Sequence, residues 1–209
     1  MTLVEVLIIV AVLLILGTAS LKRRAQAVPL LQINCVNNLK QIGLATRVWE
    51  GDNNVKFPTA ISATDGGVKE FLTGPNAWRN YQVMSNELST PKVVFCPEET
   101  DRQRFPATNF TYFNNSNLSF FVGIDANEAA PQSILSGDRN VTNGISPRNA
   151  VLGLTTHRPA GWNSEMHRWF GNICLADGSV LRASNAVLRT IVRDTGFATN
   201  RIQIPVLGP

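Results

Sequence analysis

Charged side chains are scarce in this chain. They make up 16% of its 209 residues, against about 25% in an ordinary soluble domain. A disordered tail is nonetheless excluded, because 44% of the residues are hydrophobic. Glycine and proline number only 15 and 11, too few for a collagen-like fibre. Three cysteines cannot staple a small disulfide scaffold, and an odd count leaves one without a partner in the chain. Enzyme signatures are missing too: there is no Gly-X-Ser-X-Gly elbow, phosphate-cradling glycine loop, paired-cysteine zinc motif or nucleophile beside a base. Catalysis is not expected, and neither is a cofactor. No internal repeat occurs.

What is present is unevenly placed. The length suits one domain, or slightly more, with a real core. Residues 1–21, MTLVEVLIIVAVLLILGTASL, hold Glu5 as their only ionisable side chain and run into Lys22, Arg23 and Arg24. As a helix they would span about 31 Å, roughly one hydrocarbon core. A membrane-inserted end joined to a soluble domain is therefore expected. A secretory signal peptide would carry its basic residues before the apolar run, whereas here they follow it. Glu5 is informative, since a carboxylate near a membrane-helix end either lies solvated among headgroups or pairs with a cation. The nearest candidate cation is an α-amino group at Met1, of this chain or of a neighbour.

Past the basic cluster, Leu31, Cys35, Leu39, Ile42 and Trp49 recur at helical spacing as one stripe, with Gln32, Asn34, Asn37, Lys40, Gln41 and Arg47 on the other faces. Pro29 should kink or loosen that helix, and Glu50-Gly51-Asp52-Asn53-Asn54 should stop it. Short apolar runs predict strands over Val93–Cys96, Leu118–Ile124, Ser133–Ser136, Val151–Thr155, Gly171–Ala176 and Ser179–Ala183, with a hairpin turn at Asp177-Gly178. A late short helix is predicted from Asn185 to Arg193. The fold class expected is α+β: a long N-terminal helix, apolar in its first half and amphipathic in its second, packed on an antiparallel sheet. Residues 1–29 form the apolar helix, and 30–209 form a globular extracytoplasmic domain that includes amphipathic helix 30–50.

The run Met1-Thr2-Leu3-Val4-Glu5-Val6-Leu7-Ile8 resembles the mature N-terminus of type IV pilins and type II secretion pseudopilins. The segment Cys35–Ala45, Phe121–Asp125, Ser136–Asn140 and the spacing of His167, nine residues, then Asp177-Gly178 resemble a group of prepilin-like proteins marked by a His-X9-Asp-Gly signature. The resemblance implies a pilin architecture and a chain already processed by a prepilin peptidase, with Met1 N-methylated. It implies that Glu5 pairs with the N-terminal amine of an adjacent subunit during assembly. The function it implies is a structural subunit of a type IV pilus-like extracellular filament. A type II secretion pseudopilin is the alternative, and a minor pilin binding DNA or a surface stands further off. Expected partners are further copies of the chain, the inner membrane before assembly, the peptidase and the assembly machinery.

An extracytoplasmic domain permits disulfides. Cys35 on the helix stripe and Cys96 before Pro97 are the candidate pair, leaving Cys174 buried and free, and three reduced thiols are the alternative. His157, His167 and Asp177 do not make a zinc set, and Asp125, Asn127, Glu128 and Asp138 do not match a calcium loop. Four Asn-X-Ser/Thr sequences begin at Asn109, Asn114, Asn117 and Asn140. Net charge is +4, but three basic residues and one acidic residue lie in the first 29, so the remainder carries only +2. Arg182, Arg189 and Arg193 lack interleaved aromatics, and nucleic acid is not an expected partner.

Overall fold

A computed structural model describes residues 3–208, with side chains described at 3–16 and 32–208. Met1, the expected site of methylation and amine pairing, lies outside the described residues, as do the side chains of Lys22, Arg23, Arg24, Pro29 and Leu31. The chain folds as helix α1 (Leu3–Asp52), α2 (Ala77–Gln82), α3 (Ser85–Leu88) and strands β1 (Phe120–Gly123), β2 (Ile134–Asp138), β3 (Val141–Thr142), β4 (Val151–Leu154), β5 (Gly161–Trp162), β6 (Gly171–Leu175) and β7 (Val180–Ala183). Helix α4 (Asn185–Asp194) and strand β8 (Asn200–Gln203) complete it. Short 3-10 turns fill the connections before β1.

Six strands form one sheet in the order β4-β8-β1-β2-β6-β7, and every pairing is antiparallel. Both faces of the sheet are buried. Phe120 and Val122 of β1 and Cys174 of β6 face one core, with Cys35, Leu39, Ile42, Ala45 and Trp49 of α1. Phe121, Ile173 and Leu175 face the other, with Leu188, Ile191 and Val192 of α4. This alternation is the period of two that an extended chain imposes. α4 starts at Ser184, whose hydroxyl accepts from the Val187 amide as an N-cap.

The apolar half of the expected helix needs correction. Among the described residues no helix is long and apolar enough to cross a membrane. The expected fold, a long N-terminal helix with an apolar membrane half and an amphipathic half packed on an antiparallel sheet, is corrected in its apolar half: no such span is found among the described residues, while the sheet is antiparallel with six strands. The expectations of a transmembrane helix and of an inner-membrane location fall with it.

One predicted strand is also replaced. Pro91–Val94 is a 3-10 turn, because Pro91 fixes its first residue and the Thr90 side chain accepts from the Lys92 amide.

Candidate functional site

Two places gather the functional residues. The first is the start of α1. Every side chain from Leu3 to Leu16 is exposed, Leu3 at 79% and Ile15 at 66%. Glu5 is the one ionisable group in that segment. A helix that is apolar all round is ordinarily a buried one, so this segment presents a surface that calls for cover.

The second place is a buried cluster where two loops meet the end of β2. Cys96 and Glu99 close a turn through the Glu99 amide and the Cys96 carbonyl, 3.0 Å apart. That turn sets Glu98 and Glu99 against Asp138 and Arg139. Glu98 Oε2 lies 2.6 Å from His167 Nδ1, and Asp138 Oδ2 lies 3.4 Å from His167 Nε2. Arg139 donates to both Glu99 oxygens, and its remaining terminal nitrogen pairs with Glu165. Ser119 and the amides of Thr100 and Asp101 also donate to Glu99. Cys35 and Cys96 are joined by a disulfide with their Cα atoms 5.3 Å apart, and Cys96 Sγ lies 3.4 Å from His167 Nε2.

Charge in this cluster follows from its neighbours. Burial alone would push the His167 imidazole down, but Asp138 and Glu98 outweigh it and hold the pKa above the ordinary value. Burial likewise works against the Glu99 carboxylate, and Arg139 overcomes it to hold the pKa low. An imidazole held between two carboxylates ties its loop to the Glu98 turn and to the end of β2.

The loop needs fixing. His167, Arg168 and Trp169 all take left-handed backbone conformations, with φ of 49°, 49° and 70°. For residues other than glycine each costs about 1–2 kcal/mol. Asn140, fully buried, holds the loop by donating its side-chain amide to the carbonyls of Asn163, Met166 and Phe170. A cleft of about 640 Å³ opens beside the cluster, with Gln32, Glu98, Thr100, Phe170 and Arg182 on its walls.

No family model, no curated protein and no solved structure matches the chain. The functional reading therefore rests on the chemistry of these two places and on the N-terminal motif.

The signature residues separate. His167 sits in the buried cluster, whereas Asp177 and Gly178 form the turn between β6 and β7. Asp177 accepts from the Ser179 amide at 2.8 Å, and Gly178 has φ 86°, a left-handed turn position that favours glycine. The turn packs on α1: a Cβ at Gly43 would lie 3.3 Å from Gly178 Cα and 2.9 Å from Cys174 Sγ. His157 is exposed.

Asp125 pairs with Arg201, while Asp138 faces His167, so the oxygen ligands considered for calcium are divided. Arg182 lies over the Phe170 ring, Arg189 donates to the Ala160 carbonyl and Arg193 pairs with Asp194. Of the four Asn-X-Ser/Thr asparagines, Asn109 and Asn114 are exposed. Asn117 and Asn140 are buried at 1% and 0%. Cys174 is buried and free, its thiol pushed up to about 12 by burial.

Sequence reasoning did not find Glu98, Glu99 or Arg139. The paired order Glu98-Glu99 against Asp138-Arg139 is the one signal that could have suggested them.

Proposed function

We propose that this chain is the subunit of a helical, pilin-like filament, built by packing the Leu3–Leu16 helices of many copies together. The observation that carries this reading is the exposed apolar helix. Burying one Leu or Ile side chain contributes about 1.5–3 kcal/mol, and Leu3, Leu7, Ile8, Leu13, Leu14, Ile15 and Leu16 are each more than half exposed. Further copies of the same helix supply that cover in equal number at every position along a filament.

Glu5 gives the bundle its register. A carboxylate carried into a dry bundle needs a cation, and the Met1 amine of a neighbouring copy is the group proposed to provide it. The resemblance of residues 1–8 to pilin N-termini points the same way.

The test uses the full chain as cells make it. Electron microscopy of the assembled material, with mass spectrometry of its N-terminus, is expected to show filaments whose subunits begin at Met1. Glu5→Ala is expected to lower filament yield at least about tenfold, roughly the cost of 1.4 kcal/mol per contact, with the thermal unfolding of the folded domain unchanged. Unassembled wild-type chains, or normal filaments from Glu5→Ala, would refute the proposal.

A further inference from the structure

Cys35, Cys96 and His167 come from α1, from the loop before β1 and from the loop before β6, and all three are buried. Their ligand atoms lie within 4.8 Å of one another. We propose that, once the Cys35–Cys96 disulfide is reduced, the two thiolates and His167 Nε2 bind one zinc ion. The inference does not depend on filament assembly.

The donor set is one that zinc accepts. Two cysteines and one histidine with an open fourth position form a known class of zinc site. Zinc–sulfur bonds of about 2.3 Å and zinc–nitrogen bonds of about 2.0 Å put sulfur and nitrogen about 3.5 Å apart in a tetrahedron. Cys96 Sγ and His167 Nε2 already stand at 3.4 Å. The two sulfurs must open to about 3.8 Å, which rotation of the side chains provides with the Cα atoms at 5.3 Å.

The surroundings are also those of a metal-bound histidine. Such a histidine usually gives its other ring N–H to a carboxylate, and here Glu98 Oε2 lies 2.6 Å from Nδ1. That contact leaves Nε2 as the ligand nitrogen. In the disulfide form Nε2 faces Asp138 Oδ2 at 3.4 Å; in the zinc form the metal takes that place. Asp138 is fully buried, and its Oδ1 has no hydrogen-bond partner among the described residues. A buried, half-satisfied carboxylate calls for positive charge beside it.

The chemistry balances with a phosphine as reductant. The phosphine gains the oxygen of one water as its phosphorus is oxidised by two electrons. The S–S bond takes those two electrons and the two protons of the water, giving two thiols. Zinc binding then releases both thiol protons, together with the proton on Nε2 where the imidazole is charged.

The experiment compares the full chain oxidised and phosphine-reduced, each titrated with zinc and, separately, with cobalt(II). One zinc per reduced chain is expected, with binding to the oxidised chain weaker by more than about 100-fold. Cobalt should show sulfur-to-metal charge transfer and the visible bands of a tetrahedral site. Glu98→Gln should weaken zinc by about 10–100-fold and leave the cobalt spectrum unchanged, whereas His167→Ala should change the spectrum itself. Cys174→Ala should alter neither.

Equal binding by the oxidised chain, no binding by the reduced chain, a cobalt spectrum without the sulfur band, or loss of binding in Cys174→Ala would each overturn the proposal. The redox comparison uses the unmutated chain, so it decides the question even if His167→Ala fails to fold.

Discussion

Reduction of the Cys35–Cys96 disulfide, with a chelator present to keep metal out, should have a large and calculable effect. The bond closes a sequence separation of 61 residues. In the chain-entropy account, opening a loop of that length returns about 14 cal/mol/K to the unfolded chain, or about 4 kcal/mol at 25 °C. The folded side should change little. Leu39, Ile42, Ala45 and Trp49 remain buried against the sheet without the bond. Asn38 still donates to the Phe95 carbonyl at 3.0 Å, tying α1 to the same loop. With a urea slope of about 2 kcal/mol per molar, the unfolding midpoint should fall by about 2 M. Paired urea titrations of oxidised and reduced protein measure this directly. A shift below about 0.5 M would refute the reasoning, because it would mean that the bond restricts the unfolded chain hardly at all.

Three further outcomes follow from the same structure. His167 has its pKa raised above 6.5 by Asp138 and Glu98 in spite of burial. Its contribution is therefore complete below about pH 6.5 and is lost as pH rises through the folded value, so the stability gap between wild type and His167→Gln should narrow from pH 6 to pH 9; a constant gap would refute this. Arg139→Met should cost about 3–5 kcal/mol, because it leaves Glu99, with 1% of its side chain exposed, as an unpaired buried charge; denaturant unfolding checks it. Gly43→Ala gains about 1 kcal/mol of helix propensity but loses about 1–3 kcal/mol to crowding, since its Cβ would stand 2.9 Å from Cys174 Sγ. Thermal unfolding should show a net loss that adding Cys174→Ala reverses.

The legible parts of the sequence are those where local pattern and final packing agree. Phe120-Phe121-Val122 and Ile173-Cys174-Leu175 read as strands because both faces of the sheet are buried, so the runs stay apolar throughout. The stripe from Cys35 to Trp49 reads as a helix face for the same reason. Strand β8 was hidden. Its buried Asn200 and Gln203 are polar, and they earn their places through side-chain amides that reach the carbonyls of Val192, Phe71 and Gly74.

The cluster around His167 was hidden as well, since Glu98, Asp138 and His167 lie on three segments that only the sheet order brings together. The apolar start was legible as composition. The membrane span read into it is where the sequence reading misled, since among the described residues no helix is long and apolar enough to cross a membrane.

The burial of Asn140 bears on the order of events in the life of the chain. Asn140-Val141-Thr142 has the form of a sugar acceptor, yet its amide is the group that grips Asn163, Met166 and Phe170 inside the fold. A transferase that met the chain before folding would find four acceptors open to it. One that met it afterwards would find only Asn109 and Asn114 on the surface. A sugar on Asn140 would occupy the grip itself, and the loop bearing His167 could not close over it. The pattern of sugars on the mature protein would thus serve as a clock, recording whether folding or modification came first.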